Sequence, residues 1–209
     1  MRAGPLTRVA ALAAIVAVAI FPLALAGCGG GGGDGPTPAQ ATVRGTVLDD
    51  GSLQPIAGAT VQIGTTSVQT AANGSFSIQA STGTRTVTIT AAGYDQFQTN
   101  VAVQDGVNQI GTRYLQPTLT AGRGAVSGTV RRGGSAAGGA TVRSGNASAT
   151  SRTDGTFNLY NVVAGSQAVI AVSSDGLATG FAVTSVQAGA KTTGVTITLG
   201  LAPPPPPVL

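Results

Sequence analysis

The sequence contains no histidine, no tryptophan and no glutamate, and only one cysteine and one lysine. Each absence removes a class of chemistry. Without histidine there is no Ser-His-Asp triad and no Cys-His pair. Without glutamate, paired-carboxylate hydrolysis would need aspartates gathered from distant strands. No Gly-x-Ser-x-Gly elbow and no Gly-Lys-Ser/Thr phosphate loop occurs. The sole lysine, Lys191, follows Gly189 and Ala190 in a turn-like stretch and is expected to be a solvated loop charge. Zinc lacks its usual ligands. Calcium needs only oxygens, but Asp49 and Asp50 share one turn, Asp105 and Asp154 lie in others, and none has the spacing of a calcium loop. Turn aspartates commonly hydrogen-bond their own backbone. The expectation is a chain that is not an enzyme, with no catalytic residue, no metal and no cofactor.

Charge is scarce as well. Charged residues make up 9% of the chain, and the formal net charge is +4. Arg2 and Arg8 stand at the extreme N-terminus, and the remaining basic residues are spread without clusters. That distribution argues against a nucleic-acid partner. With one cysteine, no disulfide can form within the chain, so its folded parts must stand on apolar burial.

What is present is organised around Leu25-Ala26-Gly27-Cys28. A basic start precedes an unbroken apolar run from Val9 to Ala26, and the composition then switches to glycine. A charged region, an apolar region and small residues at a cut describe a secretory signal. The run is also just long enough for an uncleaved membrane anchor, and an ordinary signal peptide is a third option. The ending Leu-Ala-Gly-Cys resembles the lipobox of bacterial lipoproteins. That resemblance implies cleavage before Cys28, acylation of Cys28 and export to a membrane through its lipid. Gly29 stands where the family's inner-membrane retention signals place aspartate, which implies the outer membrane or cell surface if the bacterium has two membranes. Several acyl chains hold a protein durably where one does so only marginally.

From Ala41 the texture is strand, turn, strand. Thr86-Val87-Thr88-Ile89-Thr90 alternates as a half-buried strand should, and Asn73-Gly74 suits a tight hairpin turn. No sustained helical period follows the signal segment. Short strands with regular turn signals predict a sandwich or barrel. The pattern then repeats. Val43-Arg44-Gly45-Thr46-Val47 is echoed by Val126 to Val130, Gly58-Ala59-Thr60-Val61 by Gly139 to Val142, and Asn73-Gly74-Ser75-Phe76 by Asp154 to Phe157. The offset stays between 81 and 83 residues, as a duplicated domain requires. Gln116 to Gly124 is expected to be a linker, and Pro203 to Pro207 an extended tail.

These landmarks resemble the carboxypeptidase regulatory-like domain, a transthyretin-like β-sandwich. Its marks are a Val-x-Gly-x-Val strand, a Gly-Ala-x-Val strand, a Thr-x-x-x-Gly-x-Phe hairpin and a Gly-Tyr pair. All four occur in residues 41–115, with Thr70 to Phe76 as the hairpin and Gly93-Tyr94 as the pair; in the second copy Leu177 replaces the tyrosine. The resulting expectation is all-β: two tandem seven-stranded Greek-key β-sandwiches after an N-terminal signal helix and a Gly-rich tether. The parts are the signal 1–27, Cys28 and tether 28–40, sandwiches 41–116 and 124–200, and a proline-rich tail 201–209. The resemblance implies a non-catalytic module. The expected role is structural or protein-interacting, with membrane lipid on Cys28 and an envelope protein as partners. The alternative is a carbohydrate- or peptidoglycan-binding lipoprotein, whose glycan platform would have to use Tyr94, Tyr114 or Tyr160. Tyr160 is the residue whose loss would test that alternative.

Overall fold

The computed structural model describes residues 39–201. The signal segment with its expected helix, Cys28 with most of the tether, and the proline run of the tail lie outside the described residues.

Seven strands build the first half. They are β1 (Gln40–Asp49), β2 (Thr60–Ile63), β3 (Thr66–Gln69), β4 (Ser75–Ser81), β5 (Gly83–Thr90), β6 (Phe97–Val103) and β7 (Val107–Leu115). Three of them form a sheet in the order β4-β1-β7, in which β1 runs antiparallel to β4 and parallel to β7. The other four form a sheet in the order β3-β2-β5-β6. Side chains alternate about each strand, so Phe76, Ile78 and Ala80 of β4 turn inward while Ser77 and Gln79 turn out. Val43, Val47, Val61, Ile63, Phe76, Val87, Ile89 and Leu115 from both sheets share one buried cluster. Full burial of such a side chain contributes about 1.5–3 kcal/mol.

The second half has β8 (Arg123–Arg132), β9 (Ser135–Ala136), β10 (Thr141–Ser144), β11 (Ala147–Thr150), β12 (Thr156–Val163), β13 (Gly165–Val172), β14 (Ala178–Val186) and β15 (Lys191–Leu201). Strand β8 pairs antiparallel with β12 and parallel with β15, as β1 does with β4 and β7. The remaining order, β11-β10-β13-β14, matches that of the second sheet of the first half. Two features differ. Ala178 and Thr179 of β14 pair with Leu201 and Gly200 of β15, joining the two sheets along one edge. The two-residue β9 adds an eighth strand, because Gly133-Gly134 lets the chain reverse tightly at the end of β8. A buried cluster including Val126, Val130, Val142, Phe157, Leu159, Val169 and Ile197 fills this half.

The repeated motifs have definite physical jobs. Gly45 stands opposite Phe76, and Gly128 opposite Phe157. A Cβ on Gly45 would lie 2.8 Å from the Phe76 ring and 2.9 Å from the Gly111 carbonyl oxygen. A Cβ on Gly128 would collide with the Val195 carbonyl. The central glycine of Val-x-Gly-x-Val is therefore the point where the parallel partner strand closes in. In the hairpin, Gly74 and Gly155 take φ of +73° and +79°, conformations open to glycine at little cost. Their carbonyls accept from the Val47 and Val130 amides at 2.9 and 2.8 Å. The first residue of that motif braces the core from within. The Thr70 hydroxyl donates to the Ile56 carbonyl at 2.6 Å and accepts from the Ala59 amide at 2.9 Å. Ser151 does the same for Ala137 and Ala140 at 2.7 and 2.9 Å.

Candidate functional site

The two halves differ in length at two places, and those places meet. Two residues more separate Val47 from Gly58 than separate Val130 from Gly139. In the first half they widen the turn after β1, which passes through Asp50 to Leu53. It is closed by the Asp49 amide donating to the Gln54 carbonyl at 2.9 Å. Conversely, one residue more separates Phe157 from Gly165 than separates Phe76 from Gly83. The addition is a β-bulge: the register of β12 on β8 shifts between Leu159 and Val162, leaving Tyr160 and Asn161 opposite Ala125 alone. Asn161 takes a φ of +60°.

Asp50 carries the contact. It is 7% exposed, and all its side-chain partners belong to the second half. Its carboxylate accepts from the Arg152 guanidinium at 2.5 Å, the Tyr160 hydroxyl at 2.5 Å and the Asn158 amide at 2.9 Å. The Thr150 amide donates to the Gly51 carbonyl at 2.9 Å beside it. A carboxylate withdrawn from water costs free energy unless it is paired and hydrogen-bonded; here a cation and two neutral donors satisfy it.

Asp49 has the opposite task. One of its oxygens accepts from the Gly51 and Ser52 amides at 2.8 and 2.6 Å, holding the turn in shape. The other accepts from the Tyr94 hydroxyl at 2.8 Å. Burial, with the Asp49 carboxylate next, pushes the Tyr94 phenol up to about 12. Tyr160 moves in the same direction, first through burial and then through Asp50. Two cations flank the contact: the Arg152 guanidinium lies 4.8 Å from the Tyr114 ring centroid, and the Lys191 ammonium 5.8 Å from that of Tyr160.

The linker between the halves is tied to both. The Thr118 amide donates to the Gly93 carbonyl, and the Asp95 amide to the Gln116 carbonyl, each at 2.9 Å. From the other side, the Asn161 side chain accepts from the Thr120 amide at 2.9 Å and donates to the Thr118 carbonyl at 3.3 Å. Arg123 donates to the Asn161 carbonyl at 2.7 Å.

The sequence-based candidates fall out as follows. Cys28 lies outside the described residues. Tyr160, one of the three tyrosines open to the glycan alternative and the one that tests it, is 8% exposed and committed to Asp50. Tyr114 has Arg152 over its ring. Lys191 opens β15 as an exposed residue beside Tyr160, not in a loop. Asp154 caps its own hairpin by accepting from the Thr156 amide at 2.9 Å, whereas Asp50 departs from the self-capping expected of turn aspartates. Among the described residues, no group of three or more aspartate, glutamate, histidine or cysteine side chains is placed to hold a metal. Sequence reasoning passed over Asp50, Arg152 and Asn158 as a set. Their signal was the step in the repeat offset, from 83 to 81 and back to 82, which marks where each half carries extra residues.

Residues 42–113 match the family model of the carboxypeptidase regulatory-like domain. No curated protein matches the sequence. Among solved structures, the chain is similar to a streptococcal ancillary pilin at 15% identity, over 77% of this chain and 62% of that one, with a TM-score of 0.30. It is similar to the Bacillus anthracis TIE protein at 11% identity, over 77% and 34% of the two chains, also with a TM-score of 0.30. GBS52, the minor pilin of Streptococcus agalactiae, is 11% identical over 82% of this chain and 99% of its own, with a TM-score of 0.30. The chain thus spans less than two thirds of the streptococcal ancillary pilin and of the Bacillus anthracis protein.

Proposed function

We propose that this is a non-catalytic, lipid-anchored protein of the bacterial cell envelope, whose two tandem modules act as a structural and protein-interaction element. The modules are residues 41–116 and 124–200, both of the carboxypeptidase regulatory-like type, carried on acylated Cys28 by the tether 28–40. The observation that carries the structural role is the burial of Asp50 among Arg152, Asn158 and Tyr160. Independent modules on a loose linker have no use for a carboxylate sealed between them. A pair that must present surfaces in one fixed orientation does. The scarcity of charge, the missing histidine and glutamate, and the family match over residues 42–113 support the non-catalytic reading. The glycan alternative loses one of its three candidate platforms, since the Tyr160 ring is covered and its hydroxyl is spent on Asp50.

The anchor is tested by intact-mass analysis of the protein recovered from membranes. The expected species begins at Cys28 and carries the mass of acyl chains, and Cys28→Ser yields a species without lipid. A chain beginning at Met1, or an unmodified Cys28 thiol, contradicts the anchor.

A further inference from the structure

The contact between the halves uses a groove that the chain contains twice. In the second half, the turn bearing Asp50 and Gly51 rests on Thr150, Arg152 and Asn158. Stepping back by the 81-residue offset of this part of the repeat gives Gln69, Ala71 and Ser77. All three line one groove of about 600 Å³ on the first half, together with Arg44, Ser75 and Thr112. The groove is thus the counterpart of the Asp50 docking surface, and no segment of the described chain fills it.

Its chemistry resembles that of its occupied counterpart, although the cation has moved. Ala71 replaces Arg152, and the positive charge comes instead from Arg44 on β1, an exposed residue in no ion pair among the described residues. Gln69, Ser77 and Thr112 supply amide and hydroxyl donors, the Ser75 hydroxyl being spent on Asn73, and no carboxylate lines the groove. A guanidinium flanked by neutral donors matches a carboxylate held on a narrow turn.

We propose that this groove docks an acidic turn of another protein, as the second half docks the Asp49-Asp50-Gly51 turn of the first. The equivalent turns of a second copy of this chain do not fit it. The copy's Asp50 is already buried within its own molecule, and the corresponding turn of its second half is Arg131-Arg132-Gly133-Gly134, which brings two cations toward Arg44. The inference deepens the protein-interaction role proposed above and does not depend on the lipid anchor.

The test uses a disulfide-cyclised peptide carrying the sequence of residues 47–56 as the acidic turn. It is titrated into the isotope-labelled, full-length protein in detergent while backbone amide shifts are followed into the low-millimolar range. The expected result is saturable shifts centred on Arg44, Gln69 and Ser77. Arg44→Glu should weaken binding at least about tenfold, a 1.4 kcal/mol change. A peptide with both aspartates changed to asparagine should weaken comparably. Ser77→Tyr, which fills the groove without altering charge at an exposed position, should also abolish the shifts, and Arg143→Glu on β10 should leave them unchanged. Three outcomes overturn the proposal: no saturable shift, shifts confined to Arg152 and Asn158 of the second half, or binding indifferent to Arg44→Glu. The first and third leave the lipid anchor and the fixed orientation of the modules standing. Shifts at Arg152 and Asn158 would mean that the peptide displaces the Asp50 turn, and would count against the fixed orientation as well. Failure here is thus distinguishable from failure of the broader reading.

Discussion

Asp50 is one residue of an exposed-looking turn, yet it is tied by hydrogen bonds to three side chains about a hundred positions away. Removing one partner of a buried ion pair is more damaging than never having had the pair, because the remaining charge stays desolvated. The Arg152 side chain retains 21% of its exposure, so part of its charge can be rehydrated. Asp50→Ala should therefore cost about 2–3 kcal/mol, below the range for fully enclosed pairs. Chemical denaturation gives the value, and a double-mutant cycle with Tyr160→Phe should show coupling of about 1 kcal/mol or more.

The two tyrosines bonded to the Asp49-Asp50 turn set an alkaline limit. The Tyr94 phenol is raised in the folded state from 10.0 to about 12 by burial and then Asp49, and Tyr160 is raised by burial and then Asp50. A raised folded value means that the folded protein holds the proton more tightly. The stability they contribute is complete below about pH 10 and declines as pH rises above it, the Tyr94 share being lost as pH passes through about 12. Thermal midpoints should therefore fall across that window, and the fall should be smaller in Tyr160→Phe. None of this is legible in the residue types. A turn aspartate usually caps its own backbone, as Asp49 and Asp154 do, and only the partner surface distinguishes Asp50 from them.

At the scale of elements, the sequence is far more talkative. The alternation in β4 and β5, the glycine hairpins and the repeat itself place most strands correctly, because the period-two pattern is a direct imprint of a half-buried sheet. What the pattern hides is any residue whose reason lies across the fold. Gly128 is dictated by the Val195 carbonyl of a strand some seventy residues later, and β9 exists only because Gly133-Gly134 folds back at once. The bulge in β12 is a further case. Its Asn161 holds a left-handed backbone and pins the linker, two roles that substitutions can separate. Asn161→Gly keeps the conformation but gives up the bonds to Thr118 and Thr120. Asn161→Ala gives up both and adds about 1–2 kcal/mol of backbone strain. Limited proteolysis should cut the Gly variant faster than the parent within 116–124, while the Ala variant should also melt at a lower temperature. Equal cleavage of parent and Gly variant would mean that the linker owes its protection to something other than Asn161.

For the molecule as a whole, the duplication is most informative where it is imperfect. Each half meets its neighbour with the residues that its twin lacks, the Asp-Asp-Gly turn on one side and the Tyr-Asn bulge on the other. Identical copies would have given two equivalent beads on a string; the added residues give a pair with a defined orientation. The fold class was readable from the sequence, whereas this orientation was not, since a linker rich in glycine and proline says nothing of contacts made elsewhere. The most direct test is the measurement of residual dipolar couplings on both halves of the intact protein in a weakly aligning medium. A single alignment tensor should fit residues 41–115 and 126–200 together, and Asp50→Ala should split it into two. Two distinct tensors in the unaltered protein would contradict a fixed orientation and, with it, the structural role built on Asp50.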